Sequence, residues 1–148
     1  MKFRTIGQHP KTRREVSVLS LGAMLFGTAT DEPTSFAILD RYVEAGGTFI
    51  DTANNYAYWI NGSQGGESEE LLGRWRRSRG VEDEIVIATK LGGRPLAPST
   101  TISDNLEGLS AKVIRESAQR SRERLGMARL DLLYAHIEDS NTPLQETV

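Results

Sequence analysis

Along this chain, short unbroken apolar runs alternate with longer stretches in which apolar residues recur every three or four positions. The runs are Val18–Gly22, Thr48–Asp51, Ile85–Lys90 and Leu130–His136. Continuous apolar runs predict strands covered on both faces, as in a parallel sheet. The stretches between them predict helices. In the first, Asp31 is placed to cap, Pro33 suits the first turn, and Phe36, Leu39, Tyr42 and Val43 share one face. Gly46-Gly47 then ends the helix in a left-handed turn. In the second, Ser68 is the expected cap, Glu69 and Glu70 suit the positive end, and Leu71, Leu72 and Trp75 form the stripe. The third runs from about Ser110 to Leu125, with Ile114, Ala118, Ser121 and Leu125 on its buried face and Gly126 as its stop. Ahead of all these, Phe3–Ile6 and Glu15–Ser17 read as a hairpin.

Strand and helix in strict alternation imply parallel strands joined by right-handed crossovers. The expected loops are Ala53–Gly66 and Gly92–Asn105. Thr142-Pro143-Leu144-Gln145 reads as a capping box that announces a fourth helix just before Val148. Four βα units, the last one incomplete, amount to half of an eight-stranded barrel, which as a whole needs ~250 residues. The sequence reading is therefore of one domain over 1–148, the first half of a barrel whose second half lies outside this sequence.

Composition narrows the classes without choosing among them. A length of 148 residues at 38% hydrophobic suffices for one core, and a net charge of −2 gives no basic field for nucleic acid. There is no cysteine, no run of ~20 apolar residues for a membrane span, and no apolar run behind Met1-Lys2-Phe3 to make a signal peptide. A cytoplasmic protein is expected. Gly22 and Gly27 do not form a dinucleotide-binding G-x-G-x-x-G, and no phosphate-binding G-x-x-x-x-G-K-[ST] loop occurs. His9 and His136 have no metal-ligand spacing, so no metal site is expected. The basic run Arg74–Arg79 falls at a helix C-terminus, where cations suit the dipole; a phosphate patch is the lesser reading.

The chemistry sits at the strand ends. The runs close on Asp51, Lys90 and His136, and Tyr56 follows Asp51 by five residues. Polar groups at the carboxyl ends of successive buried strands are how an α/β barrel assembles an active site. A phenol has a pKa near 10 and needs a neighbouring cation to stabilise its phenolate; Lys90 is the candidate, with Asp51 to hold it. His136 is placed to orient a carbonyl oxygen or share the proton. The set suits general-acid reduction of a carbonyl by hydride from a bound cofactor.

Over essentially its whole length the sequence resembles the aldo-keto reductase superfamily. The resemblance rests on the N-terminal hairpin, Leu19–Gly27, Phe49–Tyr56 with its Asp-Thr-Ala-x-x-Tyr, Gly66–Gly73 with its Glu-Ser-Glu-x-x-Leu-Gly, Ile87–Lys90 and Asp131–His136. It implies a (β/α)₈ TIM barrel that uses NADP(H), with Asp51, Tyr56, Lys90 and His136 as the catalytic tetrad. It places the cofactor against Gly22, Ala23, Met24 and Asp51, and a small-molecule carbonyl compound as substrate. Two segments depart from the family's commonest form. The loop after Tyr56 is longer and bulkier than the commonest form, which has Gly soon after the tyrosine; it reads Ala57-Tyr58-Trp59-Ile60-Asn61, so that Tyr58 and Trp59 either shape a substrate pocket or pack the loop down. After His136, Ile137-Glu138-Asp139 replaces Trp-Pro-Asp. Two rival readings stand beside the enzyme: a cofactor- or partner-binding barrel without turnover, like channel-associated β subunits, and an inactive half-barrel. Oligomeric state is open.

Overall fold

The computed structural model describes residues 1–60, 62–97 and 105–148. Asn61 and part of the expected Gly92–Asn105 loop lie outside the described residues. The chain opens with a hairpin of β1 (Phe3–Ile6) and β2 (Arg14–Ser17), paired antiparallel from Phe3↔Ser17 to Ile6↔Arg14. Then come β3 (Leu21–Gly22), α1 (Glu32–Glu44), β4 (Phe49–Asp51), α2 (Glu67–Arg79), β5 (Val86–Leu91), α3 (Ala111–Leu125), β6 (Leu132–Ala135) and the short α4 (Leu144–Thr147). The strands β3-β4-β5-β6 form one parallel sheet in sequence order.

Register decides which side chains face the helices. Ile50 pairs with Ile87, and both are fully buried in the cluster with Leu39, Leu71, Leu72, Trp75 and Leu125 from the helices. Asp51 pairs with Ala88, and Lys90 stands two residues further along the same strand. With a side-chain period of two, Asp51, Ala88 and Lys90 therefore share the opposite, inner face of the sheet. Both charged residues lie at the carboxyl ends of their strands.

Three local expectations change. The first strand is only Leu21–Gly22, and Val18 and Leu19 are 42% and 63% exposed. The segment is drawn toward the hairpin instead: Val18 N–H donates to Lys2 O, and Ser17 Oγ donates to Leu19 O. Ser68 is not the cap of α2, which starts at Glu67 after a left-handed Gly66. Its hydroxyl, fully buried, donates to Ala23 O at 2.7 Å and pairs with Thr52 Oγ1 at 2.8 Å, tying the ends of β3 and β4 to α2. Finally, Thr142 does not cap α4: Pro143 holds the cap position, and Thr142 Oγ1 donates to Asp139 Oδ2 at 2.6 Å.

Two expected helix caps form. Asp31 caps α1 by accepting from Thr34 N–H at 2.9 Å, and Ser110 caps α3 by accepting from Val113 N–H. The basic run at the end of α2 lies at an exposed helix end, where three of its arginines pair with groups of the chain itself. Arg74 pairs with Glu32 at 2.7 Å, Arg79 with Asp40 at 2.8 Å, and Arg76 donates to the carbonyls of Leu125 and Gly126. Among the described residues no helix is long and apolar enough to cross a membrane, and no group of three or more His, Cys, Asp or Glu gathers as metal ligands.

Candidate active site

Asp51 ends β4 and Lys90 is the penultimate residue of β5, so the two meet on the inner face above the sheet. Lys90 Nζ donates to Asp51 Oδ2 at 2.6 Å, to Thr52 O at 2.9 Å, and to Tyr56 Oη at a shorter distance. An ammonium has three hydrogens, and here each has an acceptor. Tyr56 reaches this point because the chain runs on beyond β4 before it turns, from Asn54 onward. Thr52 N–H donates to Ala88 O and Asn54 N–H to Lys90 O, so the segment before the tyrosine continues along β5. Tyr56 Oη–H donates to Asp51 Oδ2 at 2.9 Å, and Lys90 Nζ lies 4.4 Å from the centre of the Tyr56 ring.

The electrostatics of the phenol differ from the simple picture of a lysine drawing it toward neutrality. Burial raises the Tyr56 pKa first, and the hydrogen bond to the Asp51 carboxylate and its charge raise it further. Tyr56 in this resting arrangement is a protonated phenol whose proton points at Asp51. A general acid needs that proton at the start of its step. Lys90 then matters to the phenolate left behind, because it already touches the oxygen that would carry the charge.

His136 follows β6, and its N–H donates to Leu91 O at 2.8 Å, extending the ladder by one residue. Its ring stands edge-on to Tyr56, with centroids 5.8 Å apart. Nδ1 lies 3.0 Å from Asn55 Oδ1. Burial, and then the Lys90 charge, push the imidazole below its usual pKa, against a smaller upward pull from Asp51. His136 is therefore neutral at neutral pH.

Tyr56, His136 and Ile137 open onto a cleft of about 180 Å³ whose other walls are Met24, Tyr58 and Trp59. Tyr58 is 7% exposed and stands perpendicular to Trp59, which is 41% exposed. Asn55 and Gly93 also border this space. At the far edge, Ala23 is fully buried with its N–H on Asp51 O at 2.8 Å, Met24 is 43% exposed, and a Cβ built on Gly22 would meet nothing within 4 Å. The sequence-predicted residues thus stand in one region: Asp51, Tyr56 and Lys90 in direct contact, and His136, Met24, Tyr58 and Trp59 around the adjoining cleft.

Residues 18–148 match the profile of the Aldo/keto reductase family. The chain belongs to this family. Norsolorinic acid reductase stcV of Emericella nidulans is 42% identical over 142 residues, covering 90% of this chain and 35% of that protein. Aryl-alcohol dehydrogenase GME11368 of Pestalotiopsis microspora is 32% identical over 152 residues, covering 95% and 38%. The fold matches the holo form of an aldo-keto reductase from Bacillus halodurans with a TM-score of 0.77 at 28% identity, over 99% of this chain and 44% of that one. The chain thus spans little more than a third of the curated relatives, and its four parallel strands are part of an aldo-keto reductase barrel.

Three further residues, not singled out by the sequence pattern, build this candidate site. Thr52 supplies a carbonyl to Lys90. Buried Asn55 joins His136 to Gly93. Glu107, beyond the long loop, accepts from Asn54 Nδ2 at 2.6 Å and from Gly92 N–H at 2.8 Å, pinning the segment that carries Tyr56. The available signal was the pair of amides Asn54-Asn55 between a strand end and the tyrosine, since buried amides need partners.

Proposed function

We propose that this chain carries the active-site half of an NADP(H)-dependent enzyme that reduces aldehyde or ketone carbonyls to alcohols, working in the cytoplasm on a small-molecule substrate. On this reading residues 1–148 are the first part of a single barrel domain. The observation that carries it is the contact of Lys90 Nζ and Asp51 Oδ2 with one phenol oxygen at the mouth of a cleft. A solvated lysine or a packing tyrosine has no need of that convergence.

The residues present fit a nicotinamide cofactor. The open space beside Gly22, next to exposed Met24 and on the same side as Asp51, leaves strand-end backbone free for a flat ring to approach. Gly22, Ala23, Met24 and Asp51 would hold it, and when bound it supplies a hydride to the carbonyl carbon. Tyr56 Oη gives its proton to the carbonyl oxygen, so one C–H and one O–H bond form and the C=O π bond is lost. Lys90 stabilises the phenolate, and Asp51, losing the Tyr56 hydrogen bond, keeps that of Lys90. Tyr58 and Trp59 offer aromatic walls to the substituent on the carbonyl. The relatives named for a reductase and for an aryl-alcohol dehydrogenase support a reading of this kind.

NADPH consumption by the intact protein with a panel of aldehydes tests this. Tyr56→Phe keeps the ring and removes the proton, so the protein should fold and bind NADPH while kcat falls by ~10²–10⁴-fold, as for loss of a general acid. NADPH binding with no turnover on any carbonyl would assign a non-catalytic binding barrel instead. Retention of more than about half the rate by Tyr56→Phe, against the ~10²-fold or greater loss expected, would make the tyrosine a packing residue.

A further inference from the structure

We infer that Asn55 is a positioning residue that fixes the proton of neutral His136 on Nδ1, so that Nε2 faces the substrate as an acceptor and donates to a carbonyl only when the ring is protonated. The inference rests on the reading of the cleft as a carbonyl-reducing site and adds to it a control over direction.

Asn55 Nδ2 donates to the Gly93 carbonyl at 2.7 Å. Turning the amide over would set Oδ1 against that carbonyl oxygen, acceptor against acceptor, so the amide has one orientation. A Cβ on Gly93 would lie 3.0 Å from Asn55 Nδ2, so glycine there allows the close approach. With Nδ2 committed, Oδ1 is the atom that faces His136 Nδ1 at 3.0 Å. A carbonyl oxygen cannot donate, so Nδ1 carries the hydrogen and donates it. In a neutral imidazole the other nitrogen is then a bare lone pair. Asn55 is itself 6% exposed, and its amide is held by partners 38 and 81 residues away in sequence, so its orientation is not exchanged with solvent.

The consequence is chemical. A carbonyl oxygen is an acceptor and gains nothing from a bare Nε2, whereas an alcohol hydroxyl can donate to it. Protonated His136 reverses this. The charged and titratable groups facing the ring are Lys90 from β5, Asp51 from β4 and Tyr56 from the loop between β4 and α2. Burial and Lys90 oppose protonation more than Asp51 favours it, so the donor form belongs to the acidic side of the usual histidine range. Carbonyl reduction should gain as pH falls through the His136 pKa, and alcohol oxidation should gain as pH rises through it.

The test uses the intact protein and two readouts. First, ring-nitrogen resonances of labelled His136 above its pKa should show Nδ1 protonated and Nε2 bare, with or without turnover. A proton on Nε2 in the neutral wild-type ring overturns the inference, while leaving the carbonyl-reducing reading intact. Absence of turnover with the Nδ1 tautomer present would sink the functional reading alone. Second, Asn55→Leu should let the neutral ring place its proton on Nε2. The wild-type loss of reduction rate above the pKa, on the order of the 10²-fold that follows loss of an oxyanion donor, should then shrink to about a tenth of that in Asn55→Leu. Asn55→Asp keeps an acceptor for Nδ1–H and adds a charge, so it should retain the tautomer and move the limb to higher pH. A pH limb unchanged in both variants, with the His136 resonances also unchanged, would show that Asn55 only packs.

Discussion

At the scale of single residues, the site is defined by one lysine with no spare hydrogen. Lys90 holds Asp51, the Thr52 carbonyl and the Tyr56 phenol at once, and its side chain is only 15% exposed. Lys90→Met should therefore slow reduction severely. Added to Tyr56→Phe it should cost little more, because on the proposed mechanism both changes disable one proton-transfer unit and such effects do not add. Measured kcat for each single variant and the double checks this; losses that multiply would mean that the two residues act independently. Gly22 belongs to the same scale. A Cβ there would meet nothing within 4 Å among the described residues, so Gly22→Val should fold normally and, on the proposed cofactor placement, weaken NADPH by occupying that space. Titration of the variant by fluorescence or calorimetry reads the affinity, and an unchanged value would move the cofactor elsewhere.

At the scale of elements, α2 carries the most constrained contacts. A Cβ at Gly73 would lie 2.1 Å from the Arg124 carbonyl oxygen, so α2 and the end of α3 touch backbone to side-chain-free backbone. One turn earlier, Glu69 is fully buried. It accepts from Thr89 Oγ1 at 2.6 Å and pairs with Arg124 at 2.6 Å, linking β5 to both helices. Within the motif Glu67–Gly73, the contacts of Ser68, Glu69, Leu71, Leu72 and Gly73 thus have a structural explanation. Alanine in place of glycine favours an isolated helix by ~1 kcal/mol, but overpacking a core costs about 1–3 kcal/mol or more. A 2.1 Å clash with backbone cannot be relieved by a rotamer, so the second effect wins. Gly73→Ala should lower stability by about 1–3 kcal/mol in thermal or denaturant unfolding of the intact protein. A rise in stability would show that α3 moves away freely.

At the scale of the whole molecule, the sheet ends on both sides in an edge that no other strand of the described residues pairs. Among those residues β3 pairs with β4 alone and β6 with β5 alone. On β6, Leu133 and Tyr134 are 37% and 42% exposed, and Tyr134 faces inward beside Lys90 in the register. Exposed strand edges and apolar faces template further pairing. Residues 1–148 expressed alone should self-associate or unfold without a sharp transition, as read by light scattering and thermal melting. A monomer with a cooperative melt would contradict this.

What the sequence determined by itself is what local chemistry specifies. Apolar runs marked β4, β5 and β6 to within a few residues, although β6 itself is largely exposed; Asp31 and Ser110 marked helix starts, and Gly46 and Gly126 marked helix ends in the left-handed region. The strand-end Asp51, Lys90 and His136 and the nearby Tyr56 were legible for the same reason: where a strand ends in a barrel, its last polar residue enters the site. What only the tertiary structure decided depends on partners far along the chain. The hairpin took Val18 and Leu19 from β3, and the buried strand ends took Ser68 from its cap. The direction of the Tyr56 pKa followed from burial and from Asp51 rather than from Lys90. The proton on His136 follows from an amide locked by a glycine carbonyl 38 residues away. Helix caps and apolar runs are written in neighbouring residues; a proton's place is set by whichever donors and acceptors folding brings within hydrogen-bonding reach.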